Sequence, residues 1–307
     1  MGGTVASEVT RELRHSFTAL GTVVTIHVVG SDSDAREAVE RASGWFEHVE
    51  RTCSRFDPDS ELSRLCSRIG ERVNVSPLLY EALRFSLALQ RKSEGAFDPS
   101  VGARMEALGF DRHHTSGERV RHASAGPGSF VSLRMTDEER TVYLEQPMVI
   151  DLGAVAKGLA IDLAAQELAE IGNFVVDAGG DGYFGGFNSA GEQWSVGIRH
   201  PREAGAIIET LTMSNGAVCT SGDYERVNTT GAHHLVDPRG GPADACASVT
   251  VIAPMAMVAD GFATAAFVLG PERGIEFLQE QGAEGLIFTP ELERFETAGL
   301  SRYRKPA

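Results

Sequence analysis

Positive charge is scarce in this chain. Its 28 Lys and Arg stand against 43 Asp and Glu, a net charge of −15. Such a balance argues against general binding of nucleic acid or an anionic membrane, because counterion release needs clustered Lys and Arg. A phosphate-bearing substrate would have to be held locally, by backbone amides, one or two cations or a metal. CxxC spacing is absent as well. Cys53, Cys66, Cys219 and Cys246 each stand beside hydrophobic or small residues, the pattern of buried thiols in a reducing compartment. There is no GxxxxGK[ST] phosphate loop. No apolar core of seven residues opens the chain, since Met1 to Leu20 carries Glu8, Arg11, Glu12, Arg14 and His15. That excludes an ordinary secretory signal on this sequence and sets the expected location as cytoplasmic. Val249 to Leu269 has the hydropathy of a membrane span, but it contains Pro254, Asp260 and Gly261. A carboxylate near mid-bilayer is costly, so strand followed by helix in a soluble core is the expectation, not membrane insertion.

The 307 residues, 42% of them hydrophobic and 23% charged, fit a globular chain of two domains or one large unit of two similar halves. Leu20–Val29 has the β-branched content of a strand. Asp32 or Ser33 can then cap a helix whose buried face is Ala35, Ala38, Val39, Ala42, Trp45, Phe46 and Val49. Ser60 starts a short helix through Ile69, and Ser76-Pro77 starts another carrying Leu79, Leu83 and Leu87, which Gly95 ends. Asp111 to Gly128 lacks periodicity and reads as an exposed loop. Its His113, His114 and His122 have no carboxylate or Cys set to complete a metal site. A helix over Asp151–Gly172 precedes strands at Phe174–Asp177, Tyr183–Gly186, Trp194–Arg199, Ile207–Met213 and Ala217–Ser221. Ser248–Ala253 is a strand, Pro254 opens a helix, and a helix near Arg273–Glu280 leads to a strand at Gly285–Thr289. Consecutive strands without crossover helices point to an α+β fold, mostly antiparallel sheets packed with helices.

Four constellations carry chemistry. Asp260 and Thr264, four residues apart, share one helical face among Val258, Ala259, Phe262, Ala263, Ala265 and Ala266. A carboxylate and a hydroxyl suit a hard cation such as Mg²⁺; the plainer reading is a Thr bonded to its own helix and an Asp near the surface. Asp151-Leu152-Gly153-Ala154-Val155-Ala156-Lys157-Gly158 offers a helix start and one cation to a phosphate, or small residues that only permit close packing. Asp177-Ala178-Gly179-Gly180-Asp181-Gly182 is a turn whose glycines admit a ligand or merely supply positive φ. His233-His234-Leu235-Val236-Asp237-Pro238 puts a His at the head of a short strand, as a general base or a structural residue.

Together these pieces resemble the ApbE family of flavin transferases over about residues 16 to 290. The resemblance rests on nine segments in family order. Ala19-Leu20-Gly21-Thr22 comes first, then the run from Ser54-Arg55-Phe56-Asp57-Pro58 to Ser63, then Gly95-Ala96-Phe97-Asp98-Pro99. The Asp151 segment, the Asp177 turn and Trp194–Pro201 follow. Thr220-Ser221-Gly222-Asp223-Tyr224, His234–Pro238 and Ala259-Asp260 through Thr264 complete the series. Leu20 stands where a Met is common in the family, and Arg239-Gly240-Gly241 where Thr-Gly is usual. Many family members are exported lipoproteins, whereas neither a signal nor a lipid-attachment Cys is visible in this sequence.

The resemblance implies an ApbE-like (T-fold-like) domain over 16–290, built from parts of about 16–145 and 146–290, with an N-terminal extension at 1–15 and a C-terminal strand and tail at 291–307. It implies an enzyme that uses FAD and Mg²⁺ to transfer FMN onto a Thr or Ser hydroxyl of a target protein, releasing AMP. The implied Mg²⁺ ligands are the carbonyl of Ala154 and the side chains of Asp260 and Thr264. Flavin contacts fall on Phe56, Ala96, Phe97, Asp98, Asp151, Lys157 and the surroundings of His234, and His234 is the implied base. Two rivals stand beside the transferase: an FAD pyrophosphatase on the same site with water as nucleophile, and, from another class, a flavin-binding carrier without turnover.

Overall fold

The computed structural model describes residues 12–30, 33–113, 117–120, 122, 128–225, 227–228, 231, 233–240 and 243–305. Residues 1–11, the cap candidate Asp32, His114 and Gly241 lie outside this set. The chain opens on a hairpin of β1 (Glu12–Ala19) and β2 (Thr22–Val29). Leu20 and Gly21 join them at φ 51° and 75°, the two-residue turn whose twist matches that of the strands. The expected single strand from Leu20 is thus a turn followed by β2. β1 escapes a reading by periodicity because it lies at the sheet edge, largely exposed.

Helix α1 (Ser33–Cys53) buries the anticipated face, with Trp45 half-exposed and donating to Glu167 at 3.0 Å. Helix α2 (Glu61–Cys66) starts on the Ser60 cap but stops short of Ile69, where the chain turns so that the Gly70 amide reaches the Leu144 carbonyl. After β3 (Arg72–Asn74), α3 (Pro77–Lys92) begins on the Ser76 cap, and Glu94 and Gly95, both at positive φ, turn the chain behind it. Helix α4 (Gly102–Ala107) follows. Within 111–128 the described residues form only an isolated bridge between Arg112 and Arg119. β4 (Arg134–Thr136) and β5 (Thr141–Tyr143) join β3 in a small sheet that the sequence did not announce, its three-residue strands being too short to show alternation.

Helix α5 (Gly153–Glu167) ends a turn before the expected Gly172. Then come β6 (Phe174–Ala178), β7 (Asp181–Gly185), β8 (Trp194–Arg199), β9 (Ile207–Met213), β10 (Gly216–Gly222) and β11 (Ser248–Ala253). Helix α6 (Ala256–Leu269) starts at Ala256 rather than Pro254, because its N-terminal amides are capped by a side chain from elsewhere. Helix α7 (Pro271–Glu280), β12 (Glu284–Phe288) and β13 (Arg294–Glu296) complete the order.

Among the described residues eight strands form one sheet in the order β1-β2-β6-β7-β10-β11-β12-β13, every neighbouring pair antiparallel. The α+β expectation holds. One face of the sheet lays Val24, Ile26, Val176, Val249 and Val251 against the helices in the larger core. The other face packs Val218, Ile252 and Leu286 against Trp194, Ile198, Leu211 and Met213 of the β8–β9 hairpin. Among the described residues no helix is long and apolar enough to cross a membrane. All four cysteines are free thiols; three are buried and Cys66 is half-buried.

Gly158 decides how closely α5 and α6 approach. A Cβ there would lie 2.5 Å from the Ala256 carbonyl oxygen and 2.5 Å from the Met257 Cα, both backbone atoms with little freedom to move. Gly158→Ala is expected to cost about 1–3 kcal/mol through overpacking, read as a lowered midpoint in denaturant unfolding.

Candidate functional site

A cavity of about 420 Å³ opens where the start of α5, the middle of α6 and the end of β10 meet the loops before α2 and after α3. That volume is in the range of small-molecule sites. Every residue to which the family resemblance assigns a metal, flavin or base role lines it. Phe56, Ala96, Phe97, Asp98 and Asp151 form part of the wall, and Ala154, Lys157, His234, Asp260 and Thr264 complete the set. These residues come from five separated stretches of chain.

On α6 the apolar surroundings bury Asp260 to 5% exposure, so its carboxylate needs partners. It has them from α5: Oδ2 accepts from the Gly158 amide and lies 3.2 Å from the Lys157 ammonium. Lys157 also forms an ion pair with Asp181 of β7, whose other oxygen accepts from the Thr220 amide at 2.7 Å. One turn along α6, the Thr264 hydroxyl shares a 3.3 Å hydrogen bond with Ser221 of β10. No cluster of three or more His, Cys, Asp or Glu suited to a metal occurs among the described residues. Asp260, Thr264 and Ala154 would instead offer one carboxylate, one hydroxyl and one backbone carbonyl, all hard oxygens, and all three residues line one cavity. Such a set fits Mg²⁺, which keeps waters and takes further ligands from substrate phosphates. The Lys157 ammonium already shows that positive charge is accommodated beside Asp260.

Asp98 stabilises its own loop by accepting from the Ser100 amide at 2.8 Å and the Ser100 hydroxyl at 2.6 Å. Asp151 accepts from the Gly153 amide at 2.7 Å, ordering the entry to α5, and from Arg55 Nε at 2.5 Å. Phe56 presents its ring at the cavity, with the Arg55 guanidinium carbon 4.0 Å from the ring centroid. His234 is half-buried, its ring edge-to-face with Phe110 at 6.4 Å. The expected strand at His233–Asp237 is absent; Val227 and His233 form one isolated bridge. The segment is held instead by Arg104, which donates to the Asp237 carbonyl at 2.6 Å, and by Arg239 paired with the Asp237 carboxylate.

The sequence reading passed over Arg55, Asp181, Thr220 and Ser221 as individual residues, although each lies in a quoted segment and lines the cavity. Asp181 had a visible signal, a carboxylate inside a glycine-rich turn. Arg55 had none, because a buried arginine reads in sequence like any surface one.

Asp162, about two and a half turns from the cavity end of α5, supplies the cap of α6. Its two oxygens accept from the Ala256 amide at 2.7 Å and the Met257 amide at 2.9 Å. Burial pushes its carboxyl up to about 6, against the downward pull of those amides, and the nearby charge of Asp260 adds to the rise.

A sequence model described as the ApbE family matches residues 20–287. The FAD:protein FMN transferase of Treponema pallidum is 32% identical over 320 aligned positions, covering 94% of this chain and 88% of the relative. The protein of the same name from Haemophilus influenzae is 28% identical, covering 84% and 80%. Among solved structures, the ApbE protein of Thermotoga maritima superposes with a TM-score of 0.85 at 29% identity, covering 96% of this chain and all of the other.

The Asp162 cap has a pH signature. Between about pH 4 and pH 6 the folded chain holds a proton at Asp162 that the unfolded chain has released, so this group makes stability fall as pH rises through that window and leaves it flat above. Asp162→Asn keeps an acceptor oxygen for one amide and has no proton to titrate there. The stability of the wild type minus that of the variant, from urea unfolding at each pH, is expected to decline from pH 4 to 6.

Proposed function

The chain belongs to the ApbE family, and on that premise we propose that it is an FAD:protein FMN transferase working in the cavity described. As a member of that family it is a flavin-transferring enzyme with FAD as substrate and a protein as acceptor. The finer reading is Mg²⁺-dependent transfer of FMN to a Thr or Ser hydroxyl with release of AMP, by residues 16–290 acting as one unit. The observation that carries it is the convergence of Phe56, Asp98, Asp151, Lys157, His234, Asp260 and Thr264 on a single cavity.

In the proposed reaction the acceptor hydroxyl oxygen attacks the FMN-side phosphorus of FAD. The bond from that phosphorus to the bridging oxygen breaks, AMP leaves with that oxygen, and the hydroxyl proton passes to His234. Phe56 covers a flat face of the flavin, since an aromatic ring stacks on a conjugated system. Asp98 and Asp151 stand on ordered loop and helix-entry backbone, where they orient polar edges of the substrate. Asp260, Thr264 and the Ala154 carbonyl would hold Mg²⁺, which when bound neutralises charge on the pyrophosphate oxygens. Lys157, tethered to Asp181, keeps an ammonium at the same end of the cavity for the phosphates. His234, beside Phe110 at the cavity wall, takes the proton of a hydroxyl whose own acidity is far too weak near neutrality.

The test is incubation with FAD and Mg²⁺, with and without a flavin-acceptor domain, followed by nucleotide chromatography and intact mass. One FMN added per acceptor with matching AMP is expected. AMP with free FMN in both samples would replace the transferase by a hydrolase, and bound unchanged FAD in both would leave a carrier, or an enzyme whose own acceptor was not supplied. Asp260→Ala and chelation of divalent ions are each expected to abolish AMP release. His234→Gln is expected to lower kcat by about 10²–10⁴-fold, the usual contribution of a positioned base, with FAD binding retained.

A further inference from the structure

Arg55 is 4% exposed, yet its guanidinium reaches four groups. Nε donates to Asp151 at 2.5 Å, and Nη2 donates to the Phe110 carbonyl at 2.7 Å. Nη1 faces Glu106 at 3.7 Å, and the flat face lies against the Phe56 ring, 4.0 Å from its centroid. Glu106 does not line the cavity, and it accepts from the His122 backbone amide at 3.2 Å. The cation therefore has a carboxylate behind it and, in front, two of the groups that face the cavity. Through Phe110 it also touches the residue whose ring packs on His234.

A buried charge of this kind is costly unless its partners are well placed, and replacing it with apolar residues is often neutral or stabilising. Stability alone is thus a weak reason for this arrangement. Geometry is a better one. A planar fork can hold Asp151 along one edge and the Phe110 carbonyl along another while its face supports an aromatic ring; a lysine ammonium satisfies charge but neither the fork nor the stack.

We propose that Arg55 is a positioning residue for the flavin pocket, fixing the Asp151 carboxylate and the Phe56 ring so that both face the substrate. The proposal rests on the reading of the cavity as an FAD site. Both placed groups meet FAD before any bond changes, so the loss falls on ground-state binding rather than on the chemical step.

FAD titration, followed by quenching of flavin fluorescence on binding, tests the binding part of this without acceptor or turnover, and the transfer assay reads kcat separately. Arg55→Lys is expected to raise the Kd for FAD about tenfold and to weaken the quenching, with kcat at saturating FAD within about twofold of wild type. In a Phe56→Ala background the same substitution is expected to add less than about threefold, because one of the groups it places is already gone. An unchanged Kd and quenching in Arg55→Lys would overturn the proposal. So would an undiminished tenfold effect in both Phe56→Ala and Asp151→Asn backgrounds, which is the behaviour of a residue that only supports the fold. Should Arg55→Lys fail to fold, Glu106→Gln loosens the guanidinium from behind. A rise in Kd of about threefold with native circular dichroism is then expected, and an unchanged Kd would overturn the proposal. A wild type that binds FAD but transfers nothing would fail the transferase reading alone, whereas a wild type that binds no FAD would overturn both.

Discussion

One ammonium group organises the centre of this molecule. Lys157 of α5 pairs with Asp181 of β7 and lies 3.2 Å from Asp260 of α6, so a helix, a central strand and a second helix meet at a single charge. Both carboxylates are nearly buried. Two negative charges so close, in surroundings that solvate them poorly, require a cation, and the cation in turn requires α5 to start where it does. The close approach of α5 and α6 at Gly158 serves the same end, since it brings the Gly158 amide to the same Asp260 oxygen.

Around that centre the polar groups form two separate arrangements. The first, of Lys157, Asp181, Asp260, Thr264 and Ser221, presents oxygens and one cation at the phosphate end of the proposed site. The second, of Arg55, Asp151 and Glu106, lies beneath the aromatic wall. The chain carries a net charge of −15, and the cavity lining sets six carboxylates against Arg55, Arg112 and Lys157, so a polyanionic substrate there needs a divalent cation beside these side chains.

Much of this was legible before any coordinates. The 3.6-residue spacing from Ala35 to Val49 marked the buried face of α1, and the β-branched run at Ser248–Ala253 marked a central strand to the residue. Asp260 and Thr264 could be placed on one helical face from their spacing alone, and the order of the short motifs identified the family. The failures share a physical cause. β3, β4 and β5 are three residues each, shorter than any period that reports them. The start of α6 was misjudged because its cap is the Asp162 carboxylate, 94 residues away in sequence, not a neighbouring side chain. The segment at His234 was read as a strand, but a long-range hydrogen bond from Arg104 and the local Arg239–Asp237 pair hold it as irregular chain.

The sequence by itself determined the antiparallel α+β class, the faces of the long helices and the residue types available for chemistry. Those properties follow from local spacing and from side chains whose chemistry does not depend on their neighbours. Only the tertiary structure decided which carboxylates share Lys157, that Arg55 is buried behind Phe56, and that segments from residue 55 to residue 264 line one cavity. Such juxtapositions arise from pairing and packing between distant parts of the chain. A carboxylate's environment is set by whatever folding brings beside it, and no spacing along the chain encodes that.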